Sequence, residues 1–452
     1  MASIHQYQVI EAHPPQLMPR TASAATPAWW EQAFVIVTLF LTSGAGTRLA
    51  SILTGQAGIG RSEINMLQGD SVMQPIWLGM YAIAVILLWR HHESLVITTR
   101  RSILLGLLVG FAFLSFAWSE VPTVTLRRAF ALAGTTFIGI YIASRFDIAG
   151  VARMLLWVTG IAALLSLVFA VALPTYGIAS EGPTIGWQGI FGQKNWLGRM
   201  MAFSVIVWSL ALLDRRVPNW LSLGMLALSL LLIGLSASAT ALVLLLAIPV
   251  SLLLARAIRA HIALAIPLCA VIVLSLLYVL AQFPGMSPAI LAFLDRDTGL
   301  TGRDLLWEYL WKMVWEQPWL GYGYGGFWLG ADGPSGDVWA FVNWRQPPSH
   351  AHNGYLDLLL NFGMLGAALF AMQFLQAVVR AVVHVRTTHG RTAMLPIMFL
   401  VFTLLSNISE SNTVIHNSMF WILYVYLAVR AGAPFAPEPP AVSGAAPAAP
   451  LR

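Results

Sequence analysis

Residues 154–173 read MLLWVTGIAALLSLVFAVAL, twenty consecutive positions without a charged side chain. A helix of about 20 apolar residues is long enough to cross the hydrocarbon core of a bilayer. Of the 452 residues in the chain, 58% are apolar and 10% are charged, against roughly 45–50% and about 25% in a soluble domain. This composition excludes a cytosolic enzyme and indicates a polytopic membrane protein.

Further apolar runs, bounded by charges or turn residues, predict an all-α fold of about twelve transmembrane helices. The predicted spans lie near 29–46, 74–89, 102–118, 128–144, 152–173, 196–213, 219–235, 240–255, 262–282, 354–379, 393–406 and 415–430. The polar break at Ser236, Ser238 and Thr240 is either a tight turn or a kink, and we favour the turn.

The basic residues indicate the orientation. With both termini in the cytoplasm, 15 of the 25 lysines and arginines lie on the cytoplasmic side, as the bias of short loops predicts. Residues 1–28 are polar and contain several prolines, so we expect a disordered cytoplasmic N-terminus without a cleavable signal peptide. Residues 29–432 form the predicted membrane domain, and residues 433–452 a disordered cytoplasmic tail rich in proline and alanine. The single cysteine, Cys269, excludes an intrachain disulfide framework.

The longest predicted outer loop spans residues 283–353, far beyond the usual connection of about 4–6 residues. Seven of the 18 tryptophans fall within it, a density that indicates a structured loop. Thr301-Gly302-Arg303-Asp304 resembles a capping box, which predicts a helix with Arg303 in its first turn. Trp307, Trp311 and Trp315 recur every four residues on this helix. They either pack and anchor it at the membrane interface or stack against sugar rings.

The loop closes on Ser349-His350-Ala351-His352-Asn353-Gly354, directly before a predicted span. His352 and Asn353 therefore lie at a helix N-terminus, where the dipole disfavours a protonated imidazole. A neutral histidine can act as a base, although a structural hydrogen-bonding role is equally open. The His-x-His pair also suggests zinc, but we find no third ligand at suitable spacing nearby and predict no metal.

A second outer group of cations comprises Lys194 and Arg199, which lie five positions apart across the start of a span. Ionisable residues at the membrane boundary are costly, so a cationic pocket for a lipid phosphate is one interpretation and snorkelling to headgroups is the other. Arg127 and Arg128 begin another span and either join this pocket or bind headgroups.

Several motifs together resemble the bacterial O-antigen ligase and Wzy-type polysaccharide polymerase superfamily. They are Thr301-Gly302-Arg303 with Trp307, Pro318-Trp319-Leu320-Gly321-Tyr322-Gly323, His350-Ala351-His352-Asn353-Gly354-Tyr355-Leu356 and Gly363-Met364-Leu365-Gly366. Two further segments resemble the exopolysaccharide polymerase branch, which includes succinoglycan-type polymerases: Trp118-Ser119 with Pro122 and Arg127-Arg128, and Gly192-Gln193-Lys194-Asn195-Trp196-Leu197-Gly198.

The resemblance implies a metal-independent glycosyltransferase of the all-helical membrane class. Its substrate would be an oligosaccharide on undecaprenyl diphosphate, on the periplasmic side of the bacterial inner membrane. The arginine and histidine of the family correspond to Arg303 and His352, and its basic position in the preceding loop corresponds to Lys194 or Arg199. His352 would be the base, with Asn353 orienting it and His350 as the competing candidate.

Three functions stay open at this point. A polymerase uses a second lipid-linked repeat as its acceptor, an O-antigen ligase uses lipid A core sugar or a protein, and a transporter would carry the lipid-linked glycan without reaction. Carriers bind substrate near the bilayer midplane, whereas the basic and histidine residues here lie at predicted outer span ends. This location argues against a carrier, and the Gln193-Lys194-Asn195 segment favours the polymerase over the ligase. Membrane lipids are expected partners, flippase and chain-length regulator proteins are candidate ones, and no nucleic acid or cofactor is expected.

Overall fold

The computed structural model describes residues 27–55, 72–91, 100–179, 185–261, 263, 303–330, 333–342 and 348–433. The predicted span 262–282, the N-terminal residues 1–26, the tail from residue 434 and the first part of the long loop lie outside the described residues.

The described chain is almost entirely helical. Its helices are α1 (Trp29–Phe40), α2 (Gly46–Leu53), α3 (Met73–Arg90), α4 (Ile103–Leu114), α5 (Pro122–Arg145), α6 (Ile148–Ala172), α7 (Pro174–Gly177), α8 (Lys194–Asp214), α9 (Asn219–Ser236), α10 (Ala239–Leu245), α11 (Ala247–Ala260), α12 (Arg303–Glu316), α13 (Ser335–Val342), α14 (Gly354–Thr387), α15 (Leu395–Ser409) and α16 (Met419–Arg430). Within this part of the chain, two short strands, β1 (Ile178–Ala179) and β2 (Gly186–Trp187), pair antiparallel.

Eight helical segments of the described residues are long and apolar enough to cross a membrane, and two shorter apolar helices accompany them. Apart from 262–282, each predicted span overlaps a helix. The predicted all-α, multi-span fold is thereby confirmed. The polar break is a turn as predicted, because α9 ends at Ser236, Ala237 adopts a left-handed conformation and Ser238 caps α10 through a bond from the Ala241 amide.

The helices α8 and α16 form the centre of the bundle. Fourteen of the 21 residues of α8 are buried, and α16 is buried continuously from Met419 to Val429. A helix that is buried on all sides needs apolar residues all round rather than an amphipathic pattern. Aromatic contacts join the two helices to α15, with the Phe203 and Phe402 rings 5.5 Å apart and those of Phe203 and Phe420 5.7 Å apart.

Helix α14 is broken at Gly363, which has a φ of 59° and a ψ of −166°. The amides of Met364 and Leu365 are freed by this break and bond instead to the carbonyls of Pro318 and Trp319, at 2.7 and 3.2 Å. A Cβ atom at position 363 would lie 2.3 Å from the Trp319 carbonyl carbon. The loop thus supplies the hydrogen-bond acceptors for the backbone amides that the break in the helix releases. The two glycine-containing motifs, around positions 321 and 363, therefore form one structural unit.

Polar contacts join the helix termini at both ends of the bundle. At one end Arg145 donates two hydrogen bonds of 3.0 Å to Glu31, and Asp214 accepts from the Arg391 and Thr392 amides. Many predicted cytoplasmic arginines lie on helix termini at this end. The N-termini of α8, α12 and α14 and the C-terminus of α15 meet at the opposite end, where the candidate residues lie.

Candidate active site

Helix α12 carries Arg303 at its first position. Leu306, Leu310 and Val314 form its buried face, and the Trp307 indole donates a 2.9 Å hydrogen bond to the Ala351 carbonyl. Trp307 therefore has a packing role, whereas the Trp311 and Trp315 side chains are exposed. The predicted helix is confirmed, but the predicted cap at Thr301 and the side chain of Asp304 lie outside the described residues.

The His350–Asn353 segment leads into α14 as expected. Asn353 caps this helix, because its Oδ1 atom accepts from the amides of Tyr355 and Leu356 at 3.0 and 3.2 Å. His352 has a positive φ of 49°. The side-chain oxygen of Asn353 thus binds the first amides of the helix. By capping α14, Asn353 positions the loop that carries His352.

Asp357, in the first turn of α14, holds three segments together. Its carboxylate accepts from the Ala351 amide, from the Trp328 indole at 2.7 Å and from the Ser411 hydroxyl. Ala351 lies between the two histidines and Ser411 directly follows Glu410. A single buried carboxylate therefore fixes the histidine loop against the segment that follows α15.

Glu410 lies at the centre of the cluster. It follows the last residue of α15 and is only 3% exposed. Its Oε1 atom accepts from Asn195 Nδ2 at 3.0 Å and from Arg303 Nη2 at 3.4 Å, while its Oε2 atom lies 3.7 Å from His352 Nδ1. Four segments that are distant in sequence thus meet at one carboxylate.

Arg303 bridges the same groups. Its Nη1 atom donates to the Ser409 carbonyl at 2.9 Å, and its Nη2 atom lies 3.4 Å from His352 Nδ1 as well as from Glu410. The side chain is largely buried. The structure therefore brings together Arg303 and His352, the two residues that the resemblance singles out.

Arg199 lies on α8 beside this group and is 6% exposed. Its guanidinium carbon is 5.3 Å from the centre of the Trp196 ring and 5.5 Å from that of Phe420. Its Nε atom has no hydrogen-bond partner among the described residues. A buried guanidinium with donors to spare is suited to bind an anion.

Burial by itself raises the pKa of Glu410, but the close contact with His352 and the nearby positive charges outweigh it and place that pKa well below its usual range. Desolvation lowers the pKa of His350 to about 3, and neighbouring positive groups, which include Arg199 and Arg303, act in the same direction against the opposing effect of Glu410. Near pH 7, Glu410 is therefore ionised and His350 is neutral.

The two histidines differ in what their rings bind. His350 Nδ1 accepts a 3.1 Å hydrogen bond from the backbone amide of His352, and the two rings are 4.0 Å apart. A neutral His350 whose Nδ1 accepts must carry its proton on Nε2. Its lone pair is thus already used, whereas His352 faces the charged pair of Arg303 and Glu410.

The remaining predicted site residues are Lys194 on α8 and the pair Arg127 and Arg128 on α5. Lys194 begins α8, with its aliphatic chain beside Gly186, and the next residue of the same motif, Asn195, reaches Glu410. Arg128 donates to the Gly325 carbonyl and so holds the glycine turn at 321–327, and Arg127 precedes it on α5. Arg128 therefore stabilises the glycine turn, whereas Arg199 lies beside the cluster around Glu410.

The sequence indicated no third ligand near the His-x-His pair, and this was wrong. The structure places Glu410 beside the two histidines, with donor atoms of His350, His352 and Glu410 all within 4.8 Å of one another. The Arg303 guanidinium lies 3.4 Å from both His352 and Glu410. A divalent cation bound here would meet this positive charge, so the absence of a metal from the site stays a prediction.

Three residues of this arrangement went unnoticed in the sequence: Asn195, Asp357 and Glu410. Asn195 lies in the motif that runs from Gly192 to Gly198, and its Oδ1 atom also accepts from Ser238 Oγ at 3.0 Å. The one available signal for Glu410 was its position as a lone acid in the polar run after an apolar helix, Asn407 to Asn412.

Fold and cluster together define a polytopic helical membrane protein with a buried arginine–histidine–carboxylate centre at one end of its bundle. A family model described as O-antigen ligase matches residues 223–371, which include Arg303, His350 and His352. The exopolysaccharide production protein ExoQ of Rhizobium meliloti (strain 1021) is 24% identical over 289 residues, covering 59% of this chain and 62% of that protein. The match thus spans less than two thirds of the relative. The resemblance to the O-antigen ligase and polysaccharide polymerase superfamily, close to ExoQ, is confirmed.

Proposed function

We propose that this protein is a membrane glycosyltransferase that joins undecaprenyl-diphosphate-linked oligosaccharide repeats. The observation that carries the proposal is the convergence of Arg303, His352 and the buried Arg199 at one end of a membrane-spanning bundle. A guanidinium pair and an imidazole are the groups that transfer from a lipid diphosphate requires, and here the fold holds them in advance.

The leaving group sets the first requirement. As the bond between the anomeric carbon and the phosphate oxygen breaks, the electron pair departs with the diphosphate and negative charge accumulates there. Arg199 and Arg303 are placed to meet this charge through charge-assisted hydrogen bonds. Lys194, which begins the same helix as Arg199, is the further candidate, although an ammonium group lacks the forked geometry of a guanidinium.

The acceptor sets the second requirement. Its hydroxyl oxygen attacks the anomeric carbon from the face opposite the diphosphate, which inverts the configuration, and its proton passes to a general base. His352 is our choice for this base, because the Nδ1 lone pair of His350 is taken by a backbone amide. Asn353 contributes by capping α14 and thereby fixing the His352 backbone.

The bias of basic residues supports the placement of this reaction outside the cytoplasm. Arg145, Arg215, Arg259, Arg380 and Arg430 belong to the end of the bundle opposite the cluster, and such residues favour the cytoplasmic side. We therefore place the reaction on the periplasmic face of the inner membrane.

Two candidate functions differ in the acceptor to which the glycan is transferred. Similarity to an exopolysaccharide production protein favours a polymerase, with a second lipid-linked repeat as acceptor. The match to the O-antigen ligase model favours a ligase, with lipid A core sugar as acceptor. We favour the polymerase, because the relative's match covers more of this chain than the family model does.

The test is a turnover assay on purified protein in lipid nanodiscs, with an undecaprenyl-diphosphate-linked repeat as the sole substrate, EDTA present and the products resolved by size. The polymerase predicts a ladder of glycan lengths. A single product that forms only after addition of lipid A core would establish the ligase instead. No product with either acceptor, from protein that binds the donor, would contradict both.

A further inference from the structure

We propose that Glu410 is a positioning residue that makes His352 a competent base only when a lipid diphosphate has engaged Arg303. Glu410 lies outside the motifs that resemble the O-antigen ligase and polymerase superfamily. The inference rests on the proposed glycosyl transfer. Its evidence is the geometry around one atom, His352 Nδ1.

Arg303 and Glu410, both among the described residues, compete for that atom. Arg303 Nη2 lies 3.4 Å from His352 Nδ1 on one side, and Glu410 Oε2 lies 3.7 Å from it on the other. The guanidinium can only donate a hydrogen bond and the carboxylate can only accept one. The partner that binds Nδ1 therefore decides which nitrogen of the neutral ring carries the proton.

The two arrangements differ in reactivity. When Nδ1 accepts from Arg303, the proton resides on Nε2, and that nitrogen cannot take another from an acceptor hydroxyl. When Nδ1–H donates to Glu410, Nε2 holds a lone pair and can act as the base. A carboxylate that fixes a catalytic imidazole in its productive tautomer has the same effect in serine hydrolases.

Arg303 connects this choice to the substrate. Its Nη2 group carries two hydrogens, and in the structure it lies 3.4 Å from both Glu410 and His352. A diphosphate has more charge and more acceptor oxygens than either partner, so donor binding draws the guanidinium away from Nδ1. Nδ1–H can then donate to Glu410, and His352 is prepared for the reaction.

Glu410 is held in place for this function independently of Arg303. Asn195 donates to its Oε1 atom at 3.0 Å, and Ser238 in turn supports Asn195. The next residue, Ser411, is tied to Asp357. Among the described residues, Arg199 and His350 also face the carboxylate, and the low pKa of Glu410 keeps it ionised throughout the neutral range.

The proton balance of the step is complete. The acceptor oxygen forms its bond to the anomeric carbon, the phosphate oxygen leaves with the electron pair of the broken bond, and the acceptor proton moves to His352 Nε2. The imidazolium that results is stabilised by the adjacent carboxylate of Glu410 and returns its proton to solvent or to the departing diphosphate.

The experiment is a double-mutant cycle on full-length protein in nanodiscs, with kcat and the KM for the lipid-linked repeat measured separately. In E410Q the neutral amide donates to Nδ1 and enforces the unproductive tautomer, so kcat falls by about 10²–10⁴-fold. In an H352A background the same E410Q change lowers kcat by less than about threefold, because the residue through which it acts is missing. Losses that multiply in the double variant would overturn the proposal in favour of a structural role.

Two further variants distinguish a specific loss of activity from misfolding. E410D keeps a carboxylate and is expected to retain a kcat about tenfold or more above that of E410Q, whereas equal losses in both would overturn the proposal. Glu308→Gln, an exposed glutamate on α12, is the matched control and should leave kcat unchanged. A wild-type protein inactive with a matched repeat overturns the proposed function, and this inference with it. An unimpaired E410Q protein beside an active wild type overturns this inference alone.

Discussion

The Nη2 atom of Arg303 lies 3.4 Å from the Oε1 atom of Glu410, although the two residues are 107 positions apart in the chain. Both side chains are buried, so the pair is protected from screening by solvent. Removal of one member leaves the other buried without its counter-charge, which is more damaging than the loss of a surface ion pair.

We predict that Arg303→Ala lowers kcat/KM by about 10²–10³-fold, because one preorganised donor to the leaving diphosphate is lost. Arg303→Lys should recover only part of this loss, since it keeps the charge but not the fork. The nanodisc turnover assay measures both. Lys312→Ala, on the exposed face of the same helix, is the control, and an Arg303→Lys protein as active as wild type would refute the role of the fork.

Asp357 provides a test of the loop architecture. Asp357→Ala leaves the amide of Ala351 and the indole of Trp328 buried without their acceptor, at a cost of about 3 kcal/mol in stability. We expect a clear drop in Tm, measured by thermal unfolding in detergent, together with loss of turnover. The control is Asp337→Ala, at an exposed position on α13. A Tm equal to that of the control would contradict the assignment of Asp357 as the residue that joins the three segments.

His350 makes stability depend on pH. Its pKa in the folded protein is lowered from 6.5 to about 3, so the unfolded chain binds a proton at a higher pH than the folded one does. Its contribution to stability is therefore complete above about pH 6.5 and is lost as the pH falls toward about 3.

His350→Asn removes this titration, while its Oδ1 atom can still accept from the His352 amide. We expect the Tm of this variant to fall less steeply than that of wild type between pH 6 and pH 4, with turnover at neutral pH largely kept. Thermal unfolding across this range is the measurement. Parallel Tm profiles would show that His350 is not the group responsible, and complete loss of turnover would reopen its assignment as the base.

Gly363 tests the link between the glycine turn and the broken helix. A methyl group at this position would collide with the Trp319 backbone and strain a positive φ, so Gly363→Ala should lower the Tm and the yield of folded protein. Gly106→Ala on α4, where no atom lies within 4 Å of an added Cβ, is the matched control. Equal Tm values for the two variants would contradict the close approach.

The sequence predicted the helical fold well, because long apolar runs identify membrane spans without knowledge of tertiary contacts. It also identified the helix that carries Arg303, the N-terminus of α14 and the turn near Ser238, since each depends on local chemistry. Arg303 and His352 were found through motif order and spacing. Hydropathy carries no information about which helix ends meet, so their contact could not be derived from the residues alone.

The importance of Glu410 could not be predicted from the sequence. It lies 107 positions after Arg303 and 58 after His352, and its importance arises only when α15 ends beside the N-termini of α8 and α14. Asn353 shows the opposite case. Its position at a helix start was correctly predicted, and its Oδ1 atom caps that helix, while its role in orienting His352 stays a prediction.

The central claim is that the cluster around Glu410 transfers a glycan from a lipid diphosphate. The most direct measurement is a single-turnover reaction of the purified protein in nanodiscs, in which release of undecaprenyl diphosphate and elongation of the glycan are followed together. We predict that wild-type protein and Glu308→Gln release one lipid diphosphate for each glycosidic bond formed, and that His352→Ala binds the donor but carries out both steps at least about 10²-fold more slowly. Release and elongation at the wild-type rate in His352→Ala would contradict it.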